Sequence, residues 1–116
     1  MPLQIFGTPR CQETKKAQRF FKERGIAFQF IDLADKGISP GELRSIAAAV
    51  GIEALADREG RRWREKGLDH MVIDLEESLL AEPLLLKTPI LRDGKRAAVG
   101  AERSVLEGFV DSPGRK

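Results

Sequence analysis

The 116-residue sequence has one cysteine, one histidine, no long apolar run and almost no net charge, at +2. Each scarcity removes a class of function. A lone cysteine, Cys11, cannot form an internal disulfide, so no disulfide framework holds the fold and nothing points to an oxidising compartment. The lone histidine, His70 in LDHMVI, has no second histidine and no metal-ligand spacing to Cys11. No metal is therefore expected, and His70 reads as a partly buried structural residue. The apolar runs are too short to span a membrane. The start, MPLQIFGTPR, lacks the basic segment and long apolar stretch of a secretory signal. The charge is too balanced to recommend nucleic acid as a direct partner. The expectation is a cytoplasmic monomer that binds neither membrane nor nucleic acid. No repeat, low-complexity stretch or linker divides residues 1–116, so they read as one domain.

Charged residues are plentiful but interleaved. KKAQRFFKERG mixes both signs, the pattern of a solvated helix face with side-chain pairs at helical spacing. In DREGRRWREKG, Arg58, Arg61, Arg62 and Arg64 surround Trp63. That stretch reads as an amphipathic helix with one buried tryptophan, rather than as an RNA-binding patch.

Along the chain, Leu3 to Phe6 forms a short apolar strand punctuated by Gly7, Thr8 and Pro9. From Cys11 to about Arg24, Ala17, Phe20 and Phe21 share one helical face, and Gly25 stops the helix. IAFQFIDL, Ile26 to Leu33, reads as a second strand. The connection is long enough for a parallel βαβ crossover. Ser39, Pro40 and Glu42 then spell a capping box with proline at the first helical position, opening a helix that runs to Val50. Further helices are expected over Arg58 to Lys66 and Leu75 to Glu82, where the acids of DLEESLL suit a helix start. In KTPILRDGKRAAVG, Asp93-Gly94 between two apolar runs signals a hairpin. A last helix, Glu102 to Val110, precedes a tail, Asp111 to Lys116, that reads as frayed. The order is β-α-β, a helical insert over about 39–84, then β-β-α. This is an α/β fold with a four-stranded mixed sheet, the arrangement of the thioredoxin-like fold.

Cys11 falls where strand passes to helix. Free N–H groups of a first helical turn, the helix dipole and nearby Arg10, Lys15 and Lys16 all favour a thiolate. The polar neighbours Arg10, Gln12 and Glu13 argue against an inert core cysteine. Thr8, Arg10, Gln12 and Thr14 are the candidates for stabilising a thiolate or anion here. Thr14 stands where a resolving thiol would stand in a Cys-x-x-Cys pair, so any redox chemistry uses one sulfur and an outside thiol, from glutathione or a glutaredoxin-type partner. Thr88-Pro89 is the other candidate. In a thioredoxin-like fold a cis-proline before the third strand lies against the cysteine, although from sequence a trans proline opening a strand is the commoner outcome.

IFGTPRCQETKKAQRFFKERGIAFQFIDL, SPGELRSIAAAVGIEALAD and KTPILRDGKRAAVG together resemble the arsenate reductase (ArsC)/Spx family of thioredoxin-like proteins. The resemblance implies a sheet with an inserted helical subdomain and a nucleophilic Cys11. In the reductase branch it implies three arginines around an oxyanion. Arg58 matches one. Thr88 replaces the arginine of an Arg-Pro motif, and Val99 to Ala101 lacks the third. In the Spx branch it implies a regulator that binds the RNA polymerase alpha subunit and carries a Cys-x-x-Cys redox switch; Thr14 removes the switch but not the binding. Two functions follow. One is an arsenate reductase-like thiol oxidoreductase with glutathione as co-substrate, no bound cofactor, Cys11 as nucleophile, and Arg58, Thr88 and Pro89 at the substrate. The other is a non-enzymatic, Spx-like binding module. A scaffold with a vestigial site is the third alternative.

Overall fold

Strand β1, Leu3–Gly7, lies inside a four-stranded sheet of order β2-β1-β3-β4 in the computed structural model, which describes residues 3–110. The expected frayed tail, Asp111 to Lys116, lies outside the described residues. Strand β2, Phe28–Asp32, pairs parallel with β1, with Leu3 opposite Phe28. Helix α1, Gln12–Glu23, makes the crossover, as the length of the connection demands. Strands β3, Ile90–Asp93, and β4, Arg96–Val99, form an antiparallel hairpin, and β3 runs antiparallel to β1 with Phe6 opposite Ile90. The hairpin loop is Gly94–Lys95 rather than Asp93-Gly94: Asp93 still pairs with Arg96, and Gly94 takes the positive φ of 63° that a two-residue turn needs.

Alternation along the strands feeds two apolar layers. Leu3, Ile5 and Leu91 face α1 and the terminal helix α6, Arg103–Glu107, together with Ala17, Phe20, Phe21 and Leu106. Phe6, Ile31 and Ile90 face the other way, onto helices inserted between β2 and β3. There α2, Pro40–Val50, begins with the full capping box of Ser39 and Glu42 and ends at Gly51. A short α3, Ile52–Leu55, follows, a turn that the sequence reading passed over.

Helix α4, Arg61–Glu65, starts three residues later than expected. The backbone before it is committed elsewhere: Ala56 bridges Leu86, and the Asp57 N–H donates to the Leu85 carbonyl at 2.9 Å. Trp63 is fully buried in α4, and its Nε1 donates to Asp69 at 2.7 Å. His70 closes a 3-10 turn, Leu68–His70, and is exposed, which corrects the expected partly buried residue; the turn buries Leu68 instead. Helix α5, Leu75–Ala81, is capped by the Asp74 carboxylate, which accepts from the Glu77 N–H at 3.1 Å. Among the described residues, no helix is long and apolar enough to cross a membrane.

Candidate functional site

β1 ends at Gly7 where β3 begins, because the two run antiparallel. That geometry brings the loop after β1 against the residues before β3. Cys11 leaves this loop as the N-cap of α1, with φ −78° and ψ 118°; its N–H donates to the Thr8 carbonyl at 3.2 Å and its carbonyl accepts from Lys15 at 3.1 Å. Thr88 lies across from it. The Thr88 hydroxyl donates to Cys11 Sγ at 3.0 Å, and Sγ stands 4.0 Å from the Thr88 carbonyl oxygen. The Thr88-Pro89 peptide is cis, where the sequence alone favoured trans.

The thiol is half-buried. Burial raises its pKa, but donors around the sulfur that favour the thiolate outweigh that cost: the Thr14 hydroxyl, the Thr88 hydroxyl, and the N–H groups of Thr14 and Glu13, of which the Thr88 hydroxyl is within hydrogen-bonding geometry. The net result lies below the ordinary thiol value. Hydrogen bonding achieves this, rather than the flanking charges of Arg10, Lys15 and Lys16. The two amides are those an N-cap side chain reaches, at the second and third helical positions. So Glu13, through its backbone, joins the site, while Gln12, at the first position, is exposed and supplies none of these bonds.

Thr14 is fully buried, and its Oγ1 has no partner within hydrogen-bonding geometry. The packing there is tight. A Cβ added at Gly7 would meet Thr14 Oγ1 at 2.3 Å, so only glycine lets the hydroxyl sit beneath the loop. Gly7 does more than punctuate the strand; its role depends on a contact seven residues away that the linear sequence does not display.

A groove of about 810 Å³ runs past the Cys11 loop. Thr8, Pro9, Arg10 and Thr88 line it near the thiol, and Arg61, Arg62 and Trp63 farther off. Arg61 pairs with Glu65 and Arg62 with Glu82, both at 3.3 Å. Arg10 is thus the lining cation without an ion pair among the described residues. Arg58 is turned elsewhere: it pairs with Glu53 at 2.6 Å and lies over the Trp63 ring, 4.8 Å from its centroid. Trp63 and Glu53 hold it, and nothing directs it to the thiol. Among the described residues no group of three or more potential metal ligands converges.

Comparison with known proteins bears on the same region. The global transcriptional regulator Spx 2 of Oceanobacillus iheyensis is 29% identical over 115 residues, covering 95% of this chain and 84% of that protein. The solved structure of the YFFB protein superposes with a TM-score of 0.82 at 27% identity, covering 91% of this chain and 96% of the other. An arsenate reductase (ArsC) related protein from Brucella melitensis does so with a TM-score of 0.71 at 26% identity, covering 97% of each chain. Residues 6–109 match the model of the ArsC family, from the end of β1 through α6. The chain therefore belongs to the ArsC family.

Proposed function

We propose that the chain is a thiol oxidoreductase that works through Cys11 alone and takes its reducing equivalents from glutathione or a glutaredoxin. The observation that carries this reading is the Thr88 hydroxyl at 3.0 Å from Sγ, on a cysteine that caps a helix whose free amides favour the thiolate. The Cys11 thiolate attacks one sulfur of a mixed disulfide on the substrate. A new disulfide forms at Cys11 and the substrate leaves as a thiolate, which takes up a proton. A second thiol, deprotonated, attacks the Cys11 disulfide, is itself oxidised to a disulfide, and returns Cys11 as a thiolate. Thr14 cannot perform that second attack, so the outside thiol is obligatory.

A disulfide suits the groove better than arsenate. An oxyanion needs several convergent cationic or N–H donors. Here Thr88 stands in place of one arginine, Arg58 is held by Glu53, and Arg10 is the unpaired cation at hand. Iodoacetamide titration of Cys11 across pH, beside glutathione-dependent reduction of a small mixed disulfide, tests the reading. The expected midpoint lies below the free-thiol value of about 8.5, and Cys11→Ser abolishes turnover. A midpoint at or above that value, or turnover surviving in Cys11→Ser, sinks it.

The similarity to Spx 2 across 95% of the chain supports a second reading, a non-enzymatic regulator. Capture of the RNA polymerase alpha C-terminal domain, unchanged by Cys11→Ser, would favour it. Failure to capture that domain would remove it.

A further inference from the structure

Arg44, Arg58, Arg61, Arg62, Lys66 and Arg103 each stand within 4.0 Å of a carboxylate. Among the described residues, none of Lys15, Lys16, Arg19, Lys22 and Arg24 on or capping α1 does. The interleaved pairs expected from KKAQRFFKERG are absent; Glu23 follows Arg19 by four residues, yet the two do not pair. The contrast with α4 and α6 is direct, since both carry an arginine and a glutamate paired at that same spacing. On α1, Lys15, Arg19 and Lys22 recur every three or four residues, so like charges line one exposed stripe, an arrangement unfavourable for the helix by itself.

Beside this stripe, α1 and α6 enclose a hollow of about 220 Å³. Phe20 and Leu106 floor it, and Lys16, Arg19, Arg24 and Arg103 rim it. Two carboxylates face these cations: Glu23 on the rim, and Glu107 on Arg103. The Arg24 guanidinium lies over the Phe20 ring at 3.6 Å and donates to the Phe20 carbonyl, so it is already positioned. We propose that the α1–α6 hollow, where Lys16, Arg19 and Arg24 on the rim lack ion pairs, is a docking site for an acidic protein segment carrying an apolar anchor residue. Its carboxylates would meet Lys16, Arg19 and Arg24. Its anchor would pack against the aliphatic stems of the basic side chains, since Leu106 and Phe20 beneath them are buried. The size of the hollow fits one or two side chains. It lacks the exposed stacking faces that single-stranded nucleic acid uses, since Phe20 is covered by Arg24.

This inference stands apart from the thiol, and its test does too. The full chain is titrated against a fluorescent peptide of sequence Glu-Glu-Leu-Glu-Glu-Leu, its glutamine counterpart, and a twelve-residue oligothymidylate. The acidic peptide should bind, weaken about tenfold between low and moderate salt as exposed charge pairs are screened, and bind about tenfold more weakly to K16E/R19E. R19E alone, which leaves Lys16 beside the active-site turn, should lose part of that and keep wild-type alkylation of Cys11, showing an intact fold. Equal binding of the glutamine peptide, tighter binding of oligothymidylate, no binding of the acidic peptide, or indifference to K16E/R19E would each overturn the proposal. Failure of the thiol reading appears instead in the alkylation profile.

Discussion

Two threonines hold the sulfur of Cys11 between them, and they do so at different costs. Thr88 donates to the sulfur, whereas the buried Thr14 hydroxyl has no partner within hydrogen-bonding geometry although it favours the thiolate. A buried polar group without a partner is destabilising. Thr14→Val, nearly the same in shape, should therefore separate two properties. Denaturant unfolding at pH 6 should find the variant as stable as the parent or up to about 1 kcal/mol more so. Alkylation of Cys11 at pH 7 should slow by about threefold to tenfold, as it should in Thr88→Val. Loss of stability with unchanged reactivity would reverse the assignment. Much of this was legible in the sequence: a cysteine at a strand-to-helix turn is an N-cap, and an N-cap side chain reaches the next-but-one amides. The Thr88 contact was not, because 77 positions separate the two residues and only the sheet register joins them.

At the scale of the element, local chemistry foretold what local chemistry controls. Ser39, Pro40 and Glu42 announce α2, and the Ser39 hydroxyl accepts from the Glu42 N–H at 3.1 Å while the Glu42 carboxylate accepts from the Ser39 N–H at 3.0 Å. Ser39→Ala should lower the free energy of unfolding by about 0.5–2 kcal/mol, read as a lower denaturant midpoint at constant slope. The start of α4 was illegible for the opposite reason. Residues 55–57 are claimed by residues 85–87: the Asp57 N–H donates to Leu85, and the Lys87 N–H to Leu55. A helix cannot begin until that pairing ends. The basic stripe of α1 is the third case. Its charges were legible, but whether they pair depends on side-chain placement that spacing does not fix.

For the molecule as a whole, the order of elements was enough to foresee a mixed sheet covered by helices, since βαβ crossovers and hairpins leave few alternatives. Which ends meet was settled by the register of β1 against β3, and with it the position of the site. Because the folded chain favours the thiolate, site and stability are linked. The Cys11 pKa is depressed on folding, so its contribution is absent below the folded value, grows as pH rises, and is complete above the unfolded value. Thermal unfolding of the parent and Cys11→Ser, compared from pH 6 to pH 10, should show the difference in Tm moving in favour of the parent with rising pH. A constant difference would mean that the thiolate gains nothing from the fold.

Gly7 and Thr14 pack so closely that position 7 is not free to change on its own. A lineage that acquires a side chain at position 7 must first shrink or remove the one at position 14, and would give up a thiolate donor in doing so. The dependence runs one way: descendants with a side chain at position 7 should be found with a smaller residue at position 14, whereas position 14 can change beside an unchanged Gly7.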